Sequence, residues 1–139
     1  MTAIADTNYG CINRDHAILI RGTVAASQTL TAGDGVVTDS SGNWIIAPTS
    51  TDGTRKVGVI CSDVTTAAGE TQSDVEICLW GWVNVVFDAA VEIGQRMKPS
   101  DATAGQFEVA VNTDDLLVCG VALTAGGTNG QGTMFIGMV

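Results

Sequence analysis

Val75-Glu76-Ile77-Cys78-Leu79-Trp80-Gly81-Trp82-Val83-Asn84-Val85-Val86-Phe87 is the longest apolar stretch of the chain. Its β-branched and aromatic side chains, and the absence of an i, i+3, i+4, i+7 stripe, predict a strand and not a helix. A period of two puts Ile77, Leu79, Gly81, Val83, Val85 and Phe87 on one face and Cys78, Trp80, Trp82, Asn84 and Val86 on the other. An antiparallel strand with one wet face alternates apolar with polar, but here both faces are mostly apolar. The strand is therefore expected to be covered twice, once by the domain core and once by the other half of the domain or by a neighbouring subunit. In the second case Trp80 and Trp82 anchor an interface, since buried aromatics dominate hot spots at ~2 kcal/mol or more.

Outward from this stretch the pattern is strand, turn, strand. Residues 18–24 are β-rich, and residues 36–39 and 43–47 flank Ser40-Ser41-Gly42, which reads as a hairpin with glycine supplying the positive φ. Pro48, which has no ladder donor, ends the second of these strands. Residues 56–61 and 133–139 are further strands. Residues 1–17 show neither period and read as an extended arm, ordered by a neighbour more than by the chain's own core.

The sequence also repeats. Leu30-Thr31-Ala32-Gly33-Asp34 matches Val91-Glu92-Ile93-Gly94-Gln95, and residues 42–47 match 105–110 as Gly, polar, aromatic, any residue, aliphatic, Ala. Val57-Gly58-Val59 matches Cys119-Gly120-Val121, and residues 77–82 match 133–138, all in the same order at shifts of 56–63 residues. Two copies are too few for a solenoid, so the pattern predicts a pseudo-twofold β-domain whose halves share a core. The expectation is an all-β fold: an antiparallel small barrel or sandwich over residues 18–139, built from pseudo-repeats at about 22–80 and 81–139, behind an arm at 1–17.

Composition narrows the function. A net charge of −9 with six dispersed basic residues lacks the cationic stripe that phosphate binding needs, so nucleic acid is excluded as a partner and an anionic membrane is disfavoured. No segment reaches the ~18 apolar residues of a membrane span, and the N-terminus lacks signal-peptide character, so synthesis in the cytosol is expected. Cys11, Cys61, Cys78 and Cys119 are widely spaced and read as free thiols, the last three buried; the paired spacing of a zinc site is missing.

The residues of a catalytic centre are equally scarce. His16 is the only histidine and lies in the arm, so Ser-His-Asp and Cys-His arrangements have no base to build on. Asp114-Asp115, Glu70 with Asp74, and Asp34 with Asp39 fall in predicted turns, where capping explains them better than acid–base work. The glycine-rich residues 126–132 have no following Lys or helix and read as a hairpin loop, and no calcium-loop spacing occurs. Neither an enzyme nor a bound metal or cofactor is expected.

The ordered motifs carry a resemblance. The turn at Leu30-Thr31-Ala32-Gly33-Asp34, the Gly42 hairpin, Lys56-Val57-Gly58-Val59, the run from Asp74 to Gly81, and their return through Gly94, Gly105 and Cys119-Gly120-Val121 together resemble a phage head decoration, or capsid cement, protein of the small β-barrel, or β-tulip, kind. The resemblance covers about residues 20–139; the arm and the tryptophans have no counterpart in the family pattern. It implies a structural virion protein on the outer surface of the capsid, a homotrimer that bridges major capsid protein subunits and has no active site. Trp80, Trp82, Tyr9, Ile12 and Arg14 are the candidate oligomer or capsid contacts. The alternatives are another oligomeric virion β-module (tail, fibre or host adhesion), or a small ligand-binding barrel with Trp44, Trp80 and Trp82 as an aromatic platform.

Overall fold

The long apolar stretch forms a single strand, β8 (Gln72–Phe87, sixteen residues), from which both halves of the molecule are built. The computed structural model describes residues 10–11, 16–49 and 56–137. Before β8 come β1 (Gly10–Cys11), β2 (Ile18–Val24), β3 (Thr29–Leu30), β4 (Gly35–Thr38), β5 (Trp44–Ile46), β6 (Gly58–Ile60) and β7 (Val64–Thr65). After it come β9 (Arg96–Pro99), β10 (Phe107–Val109), a 3₁₀ helix (Asn112–Leu117), β11 (Gly120–Ala122) and β12 (Gly130–Ile136).

The pairings close two rings of five strands each. In barrel one the order is β8-β2-β5-β4-β6 and back to β8, using residues up to Trp80. In barrel two it is β8-β12-β11-β9-β10 and back to β8, using residues from Gly81 onward. Closure removes most of the open edge that a flat sheet of this length would expose, although β2 meets β5, and β10 meets β8, through a single residue pair. The fold is thus all-β, as the sequence predicts.

The repeat recurs in the register itself. Val36↔Ile46, Val37↔Ile45 and Thr38↔Trp44 return as Met97↔Val109, Lys98↔Glu108 and Pro99↔Phe107. Val24 lies between Gln72 and Trp44, as Phe87 lies between Gly130 and Phe107, and each makes the one parallel contact of its ring. The turn before the third strand is likewise repeated: the Thr31 N–H donates to Asp34 Oδ2 at 2.9 Å, and the Glu92 N–H to Gln95 Oε1 at 2.8 Å. Gly33 and Gly94 take φ of 98° and 89° there, a conformation that only glycine adopts without strain. β2 in barrel one therefore corresponds to the second part of β8 in barrel two, and the first part of β8 corresponds to β12.

The strand does not run with a strict period of two. Between Leu19↔Cys78 and Ile18↔Trp80 one extra residue enters β8, and a second irregularity falls where Gly22↔Val75 gives way to Val24↔Gln72, beside Asp74 at φ 60°. Such bulges twist a strand and re-aim its side chains. Here they let one continuous strand serve two barrels.

Each barrel has its own apolar filling. Val24, Val36, Trp44, Ile60 and Ile77 lie in the first, and Phe87, Met97, Phe107, Ala122 and Met134 in the second. Volumes are exchanged between equivalent sites. Barrel one has Val24, Val64 and Val75 where barrel two has Phe87, Gly126 and Gly132; a Cβ on Gly132 would come within 2.2 Å of the Phe87 ring. Conversely, barrel one sets Trp44 against Gly22, where a Cβ would come within 2.6 Å of the indole, and barrel two has Phe107 and Val85. Close packing, not residue identity, is what the two halves preserve.

The arm behaves differently from the expectation in one respect. Gly10 pairs with Asn84 and Cys11 with Val83, so this part of the lead-in is a strand on the chain's own sheet. A backbone ladder needs no side-chain period, so nothing in the pattern of residues 1–17 marks it.

Candidate interaction surface

Side chains that point out of the barrels fare unequally. In barrel one, Val37, Val59 and Cys78 alternate with the core residues Val36, Ile60 and Ile77, so they face outward, yet they are buried. They join the apolar cluster of barrel two, with Leu19 and Ala17 packed against it. The molecule itself thus covers β8 at Cys78, one of the two covers expected from the sequence.

At the positions of Leu19 and Cys78, barrel two carries larger and more exposed side chains. By register, Trp82 corresponds to Leu19 and Phe135 to Cys78, and Trp82 lies directly opposite Phe135. Trp80 meets Phe135 edge to face, with centroids 4.8 Å apart and planes at 87°, a favoured aromatic geometry. Ile18 lies opposite Trp80, and Val121 opposite Phe135. Trp80, Trp82 and Ile18 remain 43%, 42% and 56% exposed. Together they make a continuous apolar strip.

Glycines fix the strip in place. Gly81, at φ 142°, separates the two tryptophans, and a Cβ there would come within 2.9 Å of Ala17. Gly137, at φ 129°, lets the Trp80 ring lie on the backbone, since a Cβ would come within 2.4 Å of the indole. Neither position accepts another residue without moving a tryptophan or its strand.

Charge is kept off this surface. Residues 77–87, β11 and β12 contain no Asp, Glu, Lys or Arg. Arg96, opposite Val121, stands at the end of the strip. Its neighbour Lys98 is buried, with Nζ 2.7 Å from Asp101, 3.6 Å from Asp114 and 3.9 Å from Glu108. Burial alone would push the Lys98 ammonium down, but the three carboxylates outweigh it and hold it above the ordinary lysine value. The 3₁₀ helix brings Asp114 to this cluster, and Asp114 also accepts the Val111 N–H.

Asp39 and Asp34 among the sequence candidates, and Ser100, shape turns. Asp39 accepts the N–H groups of Ser41 and Asn43 and so shapes the hairpin turn, and Gly42 there has φ 82°. Asp34 is pushed above the usual carboxylate range by burial and by Asp63, against the hydrogen bond from Thr31. Ser100, buried, accepts the N–H groups of Ala102 and Thr103 and donates to Asp88. Cys119 is buried, and desolvation pushes its thiol up to about 12, which leaves it without thiolate at neutral pH. Trp44 is buried in barrel one and shares no platform with Trp80 and Trp82. Among the described residues no three His, Cys, Asp or Glu side chains gather as metal ligands. Tyr9, Ile12 and Arg14 lie outside the described residues. Phe135 was not singled out by the sequence, whose repeat sets it against Leu79; the register sets it against Cys78.

No family model matches this sequence, and no curated protein does. The fold is similar to the crystal structure of the head fiber gp8.5 N base of bacteriophage phi29, with a TM-score of 0.59 and 12% identity over 86% of this chain and 94% of that one. The likeness is one of fold.

Proposed function

We propose that this chain is a structural protein of a phage virion that docks on the outer surface of the head as a decoration protein and bridges major capsid protein subunits. The observation that carries the reading is the open strip of Trp80, Trp82, Phe135 and Ile18 on a closed double barrel. Both barrels are filled by their own apolar side chains, and three of the five large apolar side chains left exposed among the described residues, Ile18, Trp80 and Trp82, lie on this face. A charge of −9 keeps the chain soluble until its site exists. As a homotrimer it carries −27 (3 × −9), so apolar contact must outweigh a diffuse repulsion that salt screens within about 8–10 Å. Engaging several subunits at once supplies avidity without one tight contact.

A second reading, the base of a head fibre, is favoured by the fold likeness, which extends over 94% of that fibre base. Mixing the purified protein with expanded, undecorated heads and counting bound copies separates the two. Copy numbers comparable to the capsid protein support decoration, sparse copies at a few symmetry positions support a fibre base, and no uptake overturns both.

A further inference from the structure

The pseudo-twofold register exposes a strand-acceptor edge that is filled in one half of the molecule and, among the described residues, open in the other. In barrel two, Val83 is paired on one side with Met134 of β12 and on the other with Cys11 of β1, while Asn84 pairs with Thr133 and Gly10. The positions corresponding to Val83 and Asn84 in barrel one are Ile20 and Arg21, paired on one side with Ile77 and Glu76. On the other side β2 meets β5 at Val24 alone, and no described strand continues that pairing to Ile20 and Arg21. The backbone there is also accessible. Gly22 is partly exposed, and a glycine's exposure is almost all main chain; its counterpart Val85 is buried. Trp44 lies against Gly22, so no side chain at that position can close the gap.

We infer that the β2 edge at Ile20 and Arg21 takes up an extended segment of a second protein by strand addition, as β8 takes up β1. Strand addition supplies main-chain hydrogen bonds, and the flanking side chains set specificity. The occupied edge indicates which residues fit. It takes cysteine opposite Val83 and glycine opposite Asn84, so the open edge fits a small apolar residue opposite Ile20. Opposite Arg21, whose side chain is exposed and whose Nη2 lies 3.9 Å from Glu76 Oε2, it fits glycine or a carboxylate. The occupant comes from a different polypeptide on stoichiometric grounds. Among the described residues each chain has two equivalent edges and one strand β1, so exchange of β1 between copies would still leave one edge empty per copy.

This inference rests on head docking for its natural partner, and a peptide arm tests it independently. Hydrogen exchange read by mass spectrometry on the full chain should find the outward amides of residues 20–22 exchanging at least tenfold faster than those of 83–85. A synthetic peptide copying residues 8–13 with Cys11→Ala, at millimolar concentration, should slow them. A version with Gly10→Asp should bind wild type more tightly and Arg21→Glu more weakly. On docking to undecorated heads the same amides should be protected about tenfold. Uptake by heads with residues 20–22 still exchanging freely overturns the inference and leaves the docking reading standing. Protection by peptide without uptake does the reverse. Protection by neither, or slow exchange in the free protein, overturns the inference outright.

Discussion

The outward faces of the two barrels have the same backbone and opposite surfaces. On barrel one the row Leu19, Cys78, Val59, Val37 is small and covered by the molecule. On barrel two the equivalent row is Trp82, Phe135, Val121, Lys98, with a tryptophan open at one end and a neutralised lysine at the other. Small side chains suit a surface that another part of the chain must approach closely; large aromatics suit one that must grip a separate body. The two barrels share one backbone plan, and the side chains of this row distinguish the copy whose row the molecule covers from the copy whose row stays partly open.

The interior offers the largest effect. Phe87→Ala should cost about 3–5 kcal/mol, more than Val24→Ala at the matching site, because both side chains are fully buried and the ring leaves the larger cavity. The sharper test imports the combination of barrel one. Gly132→Val alone overpacks Phe87 by roughly 1–3 kcal/mol, whereas Phe87→Val with Gly132→Val should recover at least about 1 kcal/mol relative to the sum of the single changes. Additive denaturation energies would mean that the two sites do not exchange volume.

Next in size is the lysine. Lys98→Met removes the cation that Asp101, Glu108 and Asp114 surround and should cost about 2 kcal/mol, below the usual cost of breaking a buried pair because Asp101 is largely exposed. Val37, its counterpart in barrel one, already has an apolar surrounding, so Val37→Lys should be worse still. Urea melts of both variants check the order. On the surface, Trp82→Leu, the residue of barrel one, should change stability by less than about 0.5 kcal/mol and lower head occupancy about tenfold, or about 1.4 kcal/mol. Unchanged occupancy would remove the strip from the docking surface.

The smallest effect concerns the turn that both halves share. Gln95 does without charge what Asp34 does with it. Because burial raises the folded-state pKa of Asp34, the folded protein binds a proton more readily than the unfolded chain, so stability is lost as pH rises through the range just above the ordinary Asp value. Asp34→Asn keeps an acceptor for the Thr31 N–H and should match or exceed wild type by roughly a few tenths of a kcal/mol at neutral pH, with the difference vanishing in acid. A variant less stable at pH 7 than at pH 4, relative to wild type, would reverse the assigned sign.

Much of this architecture is legible in the sequence, and the parts that are not have physical causes. The glycine–polar–aromatic hairpins, the turns at Gly33 and Gly94 and the order of motifs foretell the repeat, because turns need particular residues. The match of residues 77–82 to 133–138 holds from Trp80 onward but slips by one at Cys78. The bulge at Leu79 adds a residue that no periodicity reveals. The same bulge and Gly81 explain why the faces assigned to β8 do not separate cleanly into covered and open. The candidate surface is half legible. The tryptophans stand out, but Phe135 becomes prominent only when β12 is laid beside β8, and the Lys98 cluster needs the fold to bring Asp114 back to β9.

The shared strand also determines how the molecule carries load. Twin modules are usually joined by a linker, and a linker is where chains bend and proteases cut. Here the junction is the middle of β8, hydrogen-bonded along its length to β2 on one side of Gly81 and to β12 on the other. A pull on one barrel therefore reaches its twin through a continuous ladder, with no slack to take up first.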